Sequence, residues 1–84
     1  MNDNIILIEN ILKEKLKGDI NISYYNGVLW AQLQNKFFAN LISVGVQVPE
    51  EHLNVEIAVE NIADSLYIKF KHLIEKNIFT WYDN

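Results

Sequence analysis

"DINISYYNGVLWAQLQ", residues 19–34, is the stretch that decides how this chain folds. Ile20, Ile22 and Tyr24 alternate with Asn21, Ser23 and Tyr25, which is the pattern of a strand buried on one side. Asn26-Gly27 follows at once. Both positions of a type I′ turn need positive φ, which Asn tolerates and Gly adopts freely, so this dipeptide is the strongest two-residue hairpin signal. The expectation is a strand at 19–25, a tight turn and a second strand at 28–34. Tyr25 then opposes Val28, and Ser23 opposes Trp30. Tyr24 and Leu29 fall on the other face. Ile20, Ile22, Tyr24, Leu29 and Leu33 make the better core, so Tyr25 and Trp30 are expected on an open, partly exposed face.

Upstream, residues 4–17 read as an amphipathic helix, with Ile5, Ile8, Leu12 and Leu16 on one face at helical spacing. Asp3 or Asn4 can cap its start, and Gly18 suits the position after its last turn. Lys13, Lys15 and Lys17 sit at the C-terminal end, where the helix dipole favours cations. Leu7 and Ile11 lie off the main stripe.

Downstream, Val44, Val46 and Val48 alternate. Phe37 to Ile42 fit either a strand or a helix, since Trp30, Leu33, Phe37, Leu41 and Val44 also make a helical stripe. The favoured reading of residues 37–48 is a third strand, continuous or interrupted, with Gly45 marking either a bulge or a close backbone approach. Residues 49–52, "PEEH", are a turn or the start of a helix, where Pro49 is tolerated. Residues 54–77 read as one long helix whose face is Val55, Val59, Ile62, Leu66, Phe70 and Leu73. The competing reading is a strand at 53–59, because Leu53, Val55, Ile57 and Val59 also alternate. The tail "IFTWYDN" carries Ile78, Phe79, Trp81 and Tyr82, which need something to dock on. The whole, residues 1–84, is expected to be one α+β domain: helix, three-stranded antiparallel β-meander, long C-terminal helix, with the helices on one face of the sheet.

Composition bounds the function. The chain has 84 residues, 50% hydrophobic, and no Cys, so thiolate metal and redox sites are excluded. All seven basic residues are Lys, and the net charge is −4. That balance opposes direct binding of nucleic acid, whose affinity comes from many Lys and Arg contacts to phosphate. No apolar run approaches the roughly 20 residues needed to span a bilayer. Asp3 near the start argues against a secretory leader. A cytoplasmic protein of a bacterial host cell, without membrane attachment, is the expectation. The abundance of Ile, Asn and Lys points to an A/T-rich bacterial genome or one of its phages.

Catalytic chemistry finds no anchor. His52 and His72 are the two histidines, and Ser23, Ser43 and Ser65 are the serines. They form no nucleophile–base spacing, phosphate loop or metal motif. His52 beside Glu50 and Glu51 allows a weak metal site to be imagined, but a solvated turn is the simpler reading. No catalytic residue, cofactor or metal is assigned. What does stand out is a Lys-free segment from Phe37 through Ile68. Within it Glu56, Glu60 and Asp64, four apart on a helix, make a negative ridge. Ile57 and Ile68 point away from the core stripe. With Tyr67, Ile78 and the tail aromatics they suggest more apolar surface than one small monomer covers.

The order of elements resembles that of double-stranded RNA-binding domains. Their second helix opens with a Lys cluster, whereas Glu50, Glu51 and Glu56 stand here, so the resemblance does not extend to RNA binding. "NGVLWAQL" with "AVENIADSL" resembles the strand and helix of HicB-type antitoxins over less than half the chain, without that family's Pro-Gly and Gly-Asp-Thr elements. By size, acidity and origin the chain is similar to phage-encoded inhibitors of host nucleic-acid enzymes, anti-CRISPR proteins among them, which is analogy only. The expectation is a non-enzymatic module that binds a protein partner, a basic nucleic-acid-handling one, through Glu56, Glu60, Asp64, Tyr25, Trp30, Trp81 and Tyr82. The alternative is a homodimeric structural or regulatory protein, antitoxin-like or a phage accessory.

Overall fold

A computed structural model describes residues 3–34 and 41–76. The elements are α1 (Asp3–Leu16), β1 (Asp19–Tyr25), β2 (Val28–Gln34), β3 (Leu41–Gln47), a single-turn α2 (Glu50–Leu53) and α3 (Glu56–Lys76). The strands form one antiparallel meander in the order β1-β2-β3. The domain is therefore α+β with the expected sequence of elements.

The hairpin is in the expected register: Tyr25 pairs with Val28, Tyr24 with Leu29 and Ser23 with Trp30. Asn26 and Gly27 both have positive φ, 52° and 78°, as a type I′ turn requires. The far end of β3 is tied to this turn. Val48 N–H donates to the Gly27 carbonyl at 2.9 Å, and the Tyr24 hydroxyl donates to the Val48 carbonyl at 2.6 Å. Burial alternates along β1 and β2, with Ile20, Ile22, Leu29, Ala31 and Leu33 inside. That alternation leaves one face of the sheet for the helices, and among the described residues no element covers the other.

Both helices lie on the buried face. α1 and α3 run side by side in the same direction, because the chain reverses four times between them, once on entering each of the three strands and once on leaving the last. Asn4 Nδ2 donates to the Leu53 carbonyl at 2.6 Å at one end, and Lys15 Nζ reaches Asp64 Oδ1 at 3.3 Å further along. Ile5, Ile8 and Leu12 of α1 meet Val59, Ile62, Leu66 and Phe70 of α3 in one core. Phe70 and Leu66 are fully buried. Truncating a buried Phe to Ala costs about 3–5 kcal/mol, a large part of the roughly 5–15 kcal/mol by which domains are stable.

Two details differ from the sequence reading, at Gly18 and Val55, and two alternatives it left open, at residues 53–59 and Gly45, are decided. Gly18 does not end α1; Lys17 does, at φ 52°, with its N–H donating to the Lys13 carbonyl at 2.9 Å. Gly18 instead allows close packing, since a Cβ there would lie 2.7 Å from Leu33 Cδ1. Residues 53–59 are not a strand. Successive i→i−3 bonds, Asn54 to Glu51, Val55 to His52 and Ala58 to Val55, carry a tightened helical path from α2 into α3. Val55, outside α3, is exposed; Ala63 and Ile74 take its place in the buried stripe, and Leu73 is only half-buried. Finally, β3 pairs residue for residue with β2, so Gly45 is a close approach and not a bulge. The first four residues of the expected third strand, 37–40, lie outside the described residues.

Candidate functional site

The side chains singled out from sequence fall on two separate surfaces. Tyr25 and Trp30 point to the bare face of the sheet, 70% and 43% exposed. This follows from strand alternation alone, because their neighbours Tyr24 and Leu29 point to the helices. Glu56, Glu60 and Asp64 are exposed on α3, in the helical layer on the other side of the sheet. A single flat contact cannot engage both sets. Trp81 and Tyr82 lie outside the described residues.

On the helical side a groove of about 350 Å³ runs between α1 and α3, lined by Leu7, Ile11, Glu56, Ile57, Val59 and Glu60. Its floor is apolar and its rim acidic. Ile57 is 81% exposed, an extreme value for a large aliphatic side chain. Ile68, eleven residues on and therefore in the same outward stripe, is 64% exposed. The sequence marked Ile57 and Ile68 as off-face. It did not place Leu7 and Ile57 in one groove, because that depends on how two distant helices pack.

The acidic ridge is divided. Asp64 pairs with Lys15, whose ammonium also stands 5.1 Å from the Tyr67 ring centroid. Both partners are well exposed, so the pair adds on the order of 0–1 kcal/mol. Among the described residues Glu56 and Glu60 have no cation partner. The negative potential is thus concentrated at the N-terminal half of α3, at the rim of the Leu7–Ile57 groove.

On the sheet side, Trp30 lies flat. A Cβ built on Gly45, its partner on β3, would stand 2.8 Å from Cε3 and Cζ3 of the indole. The ring occupies the space that a side chain at position 45 would need, and its outer face is turned to solvent. Lys69 of α3 donates from Nζ to the Gly45 carbonyl oxygen at 2.7 Å. That carbonyl points away from β2, at the free edge of β3, so the lysine caps an edge that would otherwise be open to strand addition.

His52 sits on α2 and lines a wider groove of about 500 Å³ with Val48, Val55, Asn61 and Ser65. Among the described residues no group of three or more His, Asp or Glu is arranged to hold a metal ion. His72 is exposed near the end of α3. Among those residues no helix is long and apolar enough to cross a membrane. No protein family model, curated protein or solved structure matches the chain.

Proposed function

We propose that this chain is a non-enzymatic protein-binding module that docks its acidic, apolar-floored groove on a basic, nucleic-acid-handling protein of the bacterial cell and inhibits it. The observation that carries this reading is Ile57, 81% exposed between Glu56 and Glu60 and flanked by Leu7 across the groove. An exposed aliphatic anchor inside an acidic rim suits a partner segment with apolar and cationic side chains. Charge complementarity of this kind speeds encounter and selects the partner, while the apolar floor supplies affinity. A phage or mobile-element origin fits the abundance of Ile, Asn and Lys, a cytoplasmic setting goes with such a target, and anti-CRISPR-like inhibition is the nearest functional analogy.

The test is affinity capture from a bacterial lysate with the wild-type chain and with Glu56→Lys/Glu60→Lys, at low and moderate salt. The expected outcome is a basic protein held by the wild type, released by salt and lost from the charge-reversed chain. Equal capture by both chains would overturn the groove as the site. A second reading, a homodimeric structural or regulatory protein, is favoured by the bare face of the sheet.

A further inference from the structure

The face of the sheet that bears Tyr25 and Trp30 is nearly free of charge. Strand alternation puts Asn21, Ser23, Gln32, Gln34, Ser43 and Gln47 on it, all exposed amides or hydroxyls. Leu41, more than half exposed, sits at one end. Among the described residues of the three strands, the only charged side chain is Asp19, at a corner. The helical surface is the opposite, with Glu56, Glu60, Lys71 and Glu75 exposed along α3.

We infer that this face is the interface of a homodimer, two sheets packed face to face with their helices turned outward. The argument starts from symmetry. A two-fold dimer sets the same patch against itself, so every charge near the axis meets its own sign. For a chain of net charge −4, an interface through the helical surface would place carboxylates near carboxylates. Of the two described faces, the open face of the sheet avoids this. Interface cores are also depleted of charge, as this face is, and its two aromatics, Tyr25 and Trp30, are the residue types that anchor interfaces.

Its shape fits as well. Because Trp30 lies over Gly45 instead of standing away from the sheet, the surface stays shallow enough for a second sheet at the usual spacing of about 10 Å. β2 is the central strand, and Trp30 and Gln32 are its two middle residues on this face. The two-fold axis passes close to them, so Trp30 and Gln32 of each copy meet their counterparts. Strands of seven residues give a face about 23 Å long and three strands wide. That is smaller than the roughly 800 Å² each partner contributes to a standard interface, so the dimer is weak and forms at micromolar concentration or above. The acidic groove stays on the outside of such a dimer, so this inference and the binding function can fail independently.

Sedimentation equilibrium of the full chain across a concentration series tests it. The mass is expected to rise from that of the 9.8 kDa monomer toward twice that value. Gln32→Lys and Gln32→Glu each place two like charges at the axis, and each is expected to stay monomeric over the same range. An equimolar mixture of the two variants pairs opposite charges and is expected to dimerise. Ser43→Lys, on the neighbouring strand, repeats the test should either Gln32 variant lose its fold by circular dichroism. A wild type that remains monomeric at every concentration would overturn the inference. So would a dimer that these substitutions leave intact.

Discussion

The indole of Trp30 rests on the backbone of Gly45, so close that a Cβ at position 45 would stand 2.8 Å from two of its ring carbons. The two residues face each other across β2 and β3. Gly45 has no side chain of its own, and Trp30 supplies the cover.

Gly45→Ala is therefore expected to push the ring off the sheet and to cost about 1–3 kcal/mol, as overpacking does. Trp30→Ala removes the obstacle. In the double variant the penalty of Gly45→Ala should largely vanish. A cycle of urea denaturation midpoints measures this, and strict additivity would show that the ring does not rest on Gly45.

Lys17 holds a left-handed backbone at φ 52° to close α1, a conformation that costs a residue with a Cβ about 1 kcal/mol. Lys17→Gly should raise stability by up to about 1 kcal/mol. Gly18→Ala, one residue on, should lower it by about 1–3 kcal/mol, because its Cβ meets Leu33 Cδ1 at 2.7 Å and the Gln34 carbonyl oxygen at 3.3 Å. Thermal melts of the two variants should move in opposite directions, and a fall in both would contradict the assignment of Lys17 as the helix-ending residue.

Lys15 and Asp64 are both solvent-accessible, so Asp64→Asn is expected to lose no more than about 1 kcal/mol. The loss should shrink as salt is raised through about 0.5 M, since exposed pairs are screened. Denaturation at two ionic strengths checks this. A salt-independent loss would mean that Asp64 acts through packing and not through its charge.

Lys69 caps the Gly45 carbonyl at the edge of β3. Lys69→Met keeps the length of the side chain and removes the cap. Stability should change by under about 1 kcal/mol, because water replaces the ammonium. Aggregation at high concentration should increase, as an uncapped edge invites strand addition. Light scattering over time distinguishes the two chains, and identical traces would show the edge to be protected in some other way.

Much of the fold was legible because its signals are local. Asn26-Gly27 set a two-residue turn, and the turn set the pairing of every residue from Asp19 to Gln34. Alternation then sent Tyr25 and Trp30 to the open face. The apolar stripes of α1 and α3 were legible for the same reason, since a helix periodicity is written within a few turns. Even the exposure of Ile57 and Ile68 followed from their angle on α3.

The errors came where a residue's role depends on something far away in the chain. Gly18 looked like a helix terminator because glycine often is one, but Leu33 needed the space. Val55 fits the helical stripe by spacing, with a strand as the competing reading, and a run of i→i−3 bonds between α2 and α3 leaves it exposed. The candidate binding residues show the same limit. Spacing along α3 makes a ridge of Glu56, Glu60 and Asp64, yet the position of Lys15 on a separate helix takes one of the three into an ion pair. The proposed partner-binding set is likewise divided, because the sheet lies between Tyr25 and the α3 ridge.

Periodicity and turn chemistry act over a few residues and are carried by the chain itself, so strands, helices, register and the charge-poor face were already present in the order of amino acids. Which helix lies beside which, that Leu7 and Ile57 line one groove, and how Trp30 comes to rest on Gly45 depend on close packing between segments far apart in the chain. Those contacts arise only when the apolar faces are buried together, because shape complementarity has no signature in a linear spacing.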